Sequence, residues 1–539
     1  VVRVAVAGGG PSVALTVHDP TLARTGELLR LHGTVEAQLA DLPRIRASEL
    51  TATASDHAPH SWQLEGKLAL GDGRPLHVRG AVTDERLELR VADGGGLAGI
   101  DVTGWRQASA RPELFARAEA FPLSGLQPLL RALAAGPDLD LQGVRIDGSL
   151  TAAPTEADAW ELTLTAVRVR DLLVHDERLA RDAVQLDELA IDGRVRIDPA
   201  RHTVSGRATL SHGPLHVELT GAVDPERVGL QFALAPLPCQ ALVDGLPDAF
   251  VGALQGMKLA GEFDASASVA FRPEHVRTHG ADAAARAASP VDASLEVSAP
   301  FFERCEVLAD GPRIDLQALT GAYRHRFLTD AGLERERMLA PGSPDFVELA
   351  RVPLLARAFI TLEDGRFYHH DGFDPEQIER ALWHNLGAAK FGRGASTITQ
   401  QTARNLWLGI DRSLARKLQE AVLARRLEDS LDKGRILELY VNLIELGPET
   451  FGVVEAARYH FGREPEELNA LQAVHLAAMA PAPRAYARRF AHGEVDEAWL
   501  AKLHDQLRRM NLHGWITREQ LAEGLRAELA LVDHAAPPS

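Results

Sequence analysis

Two hydrophobic periods divide this 539-residue chain, and the change from one to the other limits what it can fold into. Up to about residue 310, apolar residues alternate with period two: Trp62, Leu64, Gly66, Leu68, Leu70; Leu87, Leu89, Val91; Trp160, Leu162, Leu164; Leu230, Phe232, Leu234. Such alternation predicts strands with one buried face. After Ala340-Pro-Gly-Ser-Pro, Leu354, Leu355, Ala358 and Phe359 recur at helical spacing, and the helical pattern continues to Leu531. A β half followed by an α half predicts a multidomain chain. We place a mostly-β, repetitive region at 1–310, with a candidate division near 135–145. A lead-in follows at 311–345 and a mostly-α domain at 346–539.

The β half contains an echo. Gly66-Lys-Leu-Ala-Leu, Pro75-Leu-His-Val and Gly80-Ala-Val recur as Gly206-Arg-Ala-Thr-Leu, Pro214-Leu-His-Val and Gly221-Ala-Val, which two copies of a β-meander explain. Helical islands are expected near Leu123–Ala134 and Gln240–Leu254, and a linker from about His275 to Pro290.

A formal charge of −17 argues against a general nucleic-acid binder, although a locally basic cleft can still hold an anionic substrate. Cys239 and Cys305 lack metal-type spacing; a disulfide and two buried thiols are both open. No stretch reaches the roughly 18 apolar residues of a spanning helix. The chain starts at Val1, and we expect an N-terminal anchor to have been removed; a soluble protein is the other reading.

Four segments bear chemistry: Glu363–Asp374, Gly394–Asn405, Arg416–Glu428 and Lys433–Asn442. Each has a plain structural reading. Glu363 could be a helix-terminal carboxylate, and Ser396 an N-cap. Arg416 and Lys417 stand at ion-pair spacing from Glu420. His369, His370 and Asp371 fit no standard ligand spacing, so no metal site is assigned.

In combination and order, the four closely resemble the glycosyltransferase family 51 domain of class A penicillin-binding proteins and monofunctional peptidoglycan transglycosylases. The patterns are E-D-x-x-F-x-x-H-x-G-x-D at Glu363–Asp374 and G-x-S-T-I-T-Q-Q at Gly394–Gln401. R-K-x-x-E-A stands at Arg416–Ala421 and K-x-x-I-L-E-x-Y-x-N at Lys433–Asn442. Glu445-Leu-Gly, Phe451-Gly-Val, Glu455-Ala-Ala, Tyr459-His-Phe-Gly462 and Leu476–Pro483 extend the match over roughly 346–488.

The resemblance implies a lysozyme-like fold and an inverting transfer from a lipid-diphosphate-linked sugar, polymerising lipid II into β-1,4-linked glycan. It implies Glu363 as general base, a role that contributes about 10²–10⁴-fold, and Glu420 as second catalytic carboxylate, orienting cations or leaving phosphate. Arg404, Arg416 and Lys417 would contact diphosphate, with Ser396, Thr397, Gln400, Gln401 and Asn405 binding substrate at a helix start. Asp364, Phe367, His370, Lys433, Glu438, Tyr440 and Asn442 would support them. No cofactor is required; a divalent cation (Mg or Mn) could assist the diphosphate.

Two departures stand out: Arg404 where the family usually has lysine, and Ala395 for a common glycine. Arginine keeps the charge and grips phosphate in a fork. The resemblance also implies a membrane-facing jaw from Trp383, Leu386, Phe391 and Gly387, Gly392 and Gly394, with Leu406, Trp407 and Leu408 next; packed core is the alternative. An S-x-x-K and K-T-G transpeptidase set does not follow, so we read the chain as monofunctional. Expected partners are lipid II, the growing strand and the membrane surface at the periplasmic face of the bacterial inner membrane, with no nucleic acid. The β half resembles AsmA-like periplasmic modules in texture: a spacer or platform for envelope and wall-synthesis proteins, with a lipid groove as second reading. Two rival functions are a lytic hydrolase, which needs no phosphate clamp, and a retired transferase acting as scaffold, which retention of Glu363 and Glu420 opposes.

Overall fold

The computed structural model describes residues 2–6, 13–39, 45–70, 75–93, 98–105, 113–127, 138–141, 143–155, 159–275, 293–298, 301–328, 334–388, 394, 396–409 and 413–534. The chain divides into two compact units. The first is Val1–Phe250 with Leu259–Glu306; the second is Val251–Lys258 with Val307–Ser539.

The first unit is an antiparallel meander in which each strand pairs with the next, from Val2–Val6 to Ala293–Ser298. The short strand Asp138–Asp140 is the exception. Glu113–Pro122 pairs past it with Arg145–Pro154, while it pairs with the far end of Trp160–His175. The alternating pattern sorts side chains by face along the ladder. One row reads Leu164, Gly193, Ala208, Leu219, Phe232, Ala267, Val297 across seven strands. The row beside it, on the other face, reads Thr163, Arg194, Arg207, Thr220, Gln231, Ser268, Glu296. The expected buried face is only part-buried: Leu219, Leu230 and Phe232 keep 38, 48 and 38% exposure. Neighbours across the ladder shield them sideways, and that cannot close off a face.

Bulges bend the ladder. Ala120 and Ala166 sit in two of them at φ 44° and 50°. Each has its N–H taken by an aspartate of a neighbouring strand: Asp147 Oδ1 at 2.8 Å and Asp192 Oδ1 at 2.7 Å. The echo segments both form hairpins, but in different registers: Gly206 faces Gly221, whereas Gly66 faces Val78. Of the expected islands, Leu123–Leu126 forms a 3-10 turn and 128–137 lies outside the described residues; Cys239–Gly245 and Asp248–Val251 are helical. The expected linker falls almost wholly outside the described residues, at 276–292. Cys239 and Cys305 form a disulfide with Cα atoms 5.8 Å apart.

The second unit contains the hairpin Tyr323–Leu328 and Glu334–Leu339. Helices follow: α1 Pro353–Glu363, α2 Pro375–Ala388, α3 Ile398–Trp407, α4 Leu414–Ser430, α5 Lys433–Leu443, α6 Gly452–Phe461, α7 Ala470–Met479, α8 Pro483–Arg489, α9 Glu497–Leu512 and α10 Arg518–Gly524. Side-chain N-caps set the starts of α3, α4, α5, α7, α9 and α10, at Thr397, Ser413, Asp432, Asn469, Asp496 and Thr517. Every residue of α7 is buried, as expected for a helix apolar on all sides. It packs on α1 and α9, while α3 packs on α4 and α5. The C-terminal end of α1, the start of α3 and the first turns of α4 frame the candidate site.

Candidate active site

Glu363 is the last residue of α1, because Asp364 leaves helical geometry at φ −155°. Its side chain stays at the edge of the helix packing while Asp364 turns inward and is fully buried. The Asp364 carboxylate ties three elements together. Its Oδ2 accepts the Ile398 N–H at 3.0 Å, and His370 Nε2 lies 2.9 Å from Oδ1. An anion at the N-terminus of α3 is favoured by the helix dipole. Phe367, also fully buried, holds the turn between them, with Lys433 Nζ 4.4 Å above its ring.

Gln401 reaches back from α3 to Glu363. Its Nε2 donates to Glu363 Oε2 at 2.9 Å, and its Oε1 accepts from the Tyr440 hydroxyl at 3.4 Å. Burial pushes the Glu363 carboxyl above the ordinary glutamate range; Gln401 and Arg404 oppose that shift, and Asp364 adds to it. Burial also carries the Tyr440 phenol well above its usual value, so it stays neutral.

The second carboxylate is enclosed by cations. Glu420 has no exposed surface; Arg416 Nη1 bonds its Oε1, and Lys417 Nζ lies 2.6 Å from its Oε2. Lys417 also donates to Ser396 Oγ at 2.5 Å, joining α4 to the segment before α3. Burial, together with Arg416 and Arg404, pulls the Lys417 ammonium down to about 8 against the attraction of Glu420. That mutual repulsion makes Arg404, Arg416 and Lys417 one cationic cluster. An arriving anion would relieve it.

Other expected site residues do structural work. The N-cap of α3 is Thr397, not Ser396: its Oγ1 accepts from Gln400 N, and Gln400 Oε1 accepts from Thr397 N. Both side chains are buried and engaged in this capping box. Asn405 Oδ1 accepts weakly from Arg404 at 3.5 Å. Glu438 accepts from Leu349 N–H at 3.0 Å, and Asn442 bonds both Val347 N and Val347 O at 2.9 Å, which fixes the chain entering α1. Lys433 holds Glu428, which also accepts from Thr399 Oγ1 at 2.5 Å. The first three motifs meet around Glu363 and Glu420; the fourth supports them.

Of the expected jaw, Trp383 is buried (1% exposed) and donates to Glu379 at 3.3 Å, so it packs inside the unit. Residues 389–393 and 395 lie outside the described residues, with Phe391, Gly392 and Ala395 among them. Leu406 is buried, while Trp407 and Leu408 are half-exposed. Sequence reasoning missed Lys502 on α9, which exchanges charge attraction with Glu363 and sits 4.5 Å over the Trp499 ring. No motif marks it; a lysine on an amphipathic helix reads as a solvated face. Among the described residues, no group of three His, Cys, Asp or Glu could hold a metal.

The Transglycosylase family model matches residues 336–511. Over 160 residues the chain is 42% identical to the biosynthetic peptidoglycan transglycosylase of Laribacter hongkongensis, covering 28% of this chain and 70% of that protein. Identity to the corresponding protein of Chromobacterium violaceum is 48% over 134 residues, covering 25% of this chain and 59% of that one. Against penicillin-binding protein 1A of Aquifex aeolicus it is 41% over 187 residues, covering 34% and 25%. The chain belongs to the transglycosylase family. It spans less than two thirds of the Chromobacterium and Aquifex proteins.

Proposed function

We propose that this chain is a peptidoglycan glycosyltransferase. It joins lipid II units into β-1,4-linked glycan and releases polyprenyl diphosphate. The observation that carries this is the pairing of a desolvated carboxylate, Glu363, with a cluster of three cations around Glu420.

The incoming lipid II offers a 4-hydroxyl, whose oxygen attacks the anomeric carbon of the growing strand. Glu363 takes the hydroxyl proton; burial raises its pKa above the ordinary glutamate range, which makes its carboxylate a stronger base than a solvated one. The anomeric C–O bond to diphosphate breaks, and its electron pair leaves on the diphosphate oxygen. Arg404, Arg416 and Lys417 neutralise that charge where it develops. Attack opposite the leaving group inverts the anomeric centre. Glu420 keeps Arg416 and Lys417 in place and preserves their separation.

The donor set does not suit a divalent ion held by protein. Glu363 is bonded to Gln401 and Glu420 to two cations, which leaves no carboxylate pair for Mg or Mn. The helical unit is read as lysozyme-like, and the polyprenyl tail places its work at the periplasmic membrane surface, with Trp407 and Leu408 as apolar contacts. No described helix is long and apolar enough to span a membrane. The sheet unit is a spacer or platform for envelope and wall-synthesis proteins.

The test is polymerisation of fluorescent lipid II in liposomes by the parent chain and by Glu363→Gln. Long glycan from the parent alone supports the proposal. Lipid II bound but never polymerised by the parent would point to the scaffold reading.

A further inference from the structure

Helix α4 has a second polar side besides the one that carries Arg416, Lys417 and Glu420. Gln419 and Arg426 are seven residues apart, two helical turns, and so share one side of α4. Both are held by chain that lies outside the family match. Gln419 Oε1 accepts the Ala253 N–H at 2.7 Å, and its Nε2 donates back to Ala415 O at 3.3 Å. Arg426 grips Asp310 with two parallel bonds, Nε to Oδ1 and Nη2 to Oδ2, each 2.9 Å.

Ala253 belongs to Val251–Lys258. In sequence this segment falls between helix Asp248–Val251 and strand Lys258–Phe271, yet it is part of the helical unit. It is two successive turns, closed by Leu254 N–H to Val251 O at 2.8 Å and Met257 N–H to Leu254 O at 3.1 Å. Val251, Ala253, Leu254 and Met257 are 5, 6, 4 and 1% exposed. A connection that merely joined two strands would run over the surface with its side chains in water. The fit reaches backbone distance as well. Gly256 takes φ +82°, and a Cβ on Gly311 would lie 2.5 Å from Gln255 O. Two chain segments are therefore pressed together behind the helix that bears the cations.

We propose that Val251–Lys258 and Asp310 form a brace that fixes the rotation and height of α4, and so position Arg416, Lys417 and Glu420 for catalysis. The proposal rests on the glycosyltransferase reading of this unit. Gln419 immediately precedes Glu420 in the same turn, so a rotation of α4 that broke the Ala253 bond would carry Glu420 with it. Gln419, Arg426 and Asp310 touch none of the groups assigned to substrate; they act through α4. The catalytic unit of this chain is thus completed by residues that come before the 336–511 stretch.

The test uses the full chain with Asp310→Ala, Gln419→Ala and the charge exchange Asp310→Arg with Arg426→Asp. Two quantities are read: amide hydrogen exchange across 414–421, and lipid II polymerisation resolved into kcat and KM. Loss of one partner should raise exchange across 414–421 roughly tenfold and lower kcat by about the same factor, with KM within about twofold. The charge exchange should restore both. Should Asp310→Ala fail to fold, Asp310→Asn carries the same expectation at a smaller amplitude. Unchanged exchange and unchanged kcat in the folded variants overturn the brace. So does a kcat loss that the exchanged pair fails to restore while its stability recovers. A parent that makes no glycan, with exchange rising in the variants as expected, would leave the brace standing and remove the glycosyltransferase reading instead.

Discussion

The sheet unit and the helical unit are specified by different physics. In the sheet, hydrogen-bond register does most of the work: apolar rows such as Leu164–Val297 shield one another sideways, and Leu230 remains 48% exposed. In the helical unit, polar groups are taken out of water completely. Asp364, Thr397, Glu420, Asn442 and His475 have no exposed surface. A buried polar group without its partners costs about 1–3 kcal/mol, so each of these defines one geometry and penalises others. The unit with buried polar groups can hold reacting groups in register, whereas the laterally shielded unit tolerates drift.

Substitutions should separate the two. The largest stability loss is expected from Glu420→Ala, which leaves the mostly buried Arg416 and the half-exposed Lys417 without their anion; about 3 kcal/mol, the low end of the scale for breaking a buried pair, is expected because water still reaches Lys417. Thermal unfolding should show it, and Glu420→Gln should lose less. Asn442→Ala strands the Val347 N–H and C=O and should cost about 2–3 kcal/mol, with glycan synthesis falling only through the loss of folded protein. Acid should act on the helical unit next. Burial lowers His460 and His325 to about 4 and His475 well below its ordinary value, so each is neutral when folded at neutral pH. A base depressed on folding supports stability above its unfolded pKa near 6.5 and loses that support as pH falls toward 4. A stability curve flat between pH 7 and 4 would contradict this burial. The smallest effect belongs to the sheet: Asp192→Ala removes the acceptor of Ala166 N–H and should cost about 1 kcal/mol or less. A loss as large as that of Asn442→Ala would break the comparison.

The division into β and α halves was legible because period two and period 3.6 are both local signals, and the same holds for the segments that meet around Glu363. T-x-x-Q before a helix is also the pattern of a capping box, and Thr397 and Gln400 form one. What sequence could not reveal is long-range. Nothing in Gln419 announces Ala253, 166 residues earlier, because one amide bond across a tertiary contact leaves no periodic trace. The Cys239–Cys305 bond was undecidable for the same reason: a count of two allows it without requiring it. The exposure of the sheet's apolar face was also hidden, since alternation reports two unlike faces and not what covers them.

The pH dependence of kcat/KM for lipid II, measured on the parent and on Lys417→Arg, tests the pairing of base and cation cluster most directly. The account predicts a bell. Its acid limb should rise with an apparent pKa above the ordinary glutamate value of about 4.5 as Glu363 ionises, and its alkaline limb should fall near 8 as Lys417 loses its charge. Lys417→Arg should remove the alkaline limb and keep the acid one, because a guanidinium stays charged. A profile without the acid limb, or an alkaline limb unmoved by Lys417→Arg, would contradict the assignment of base and clamp.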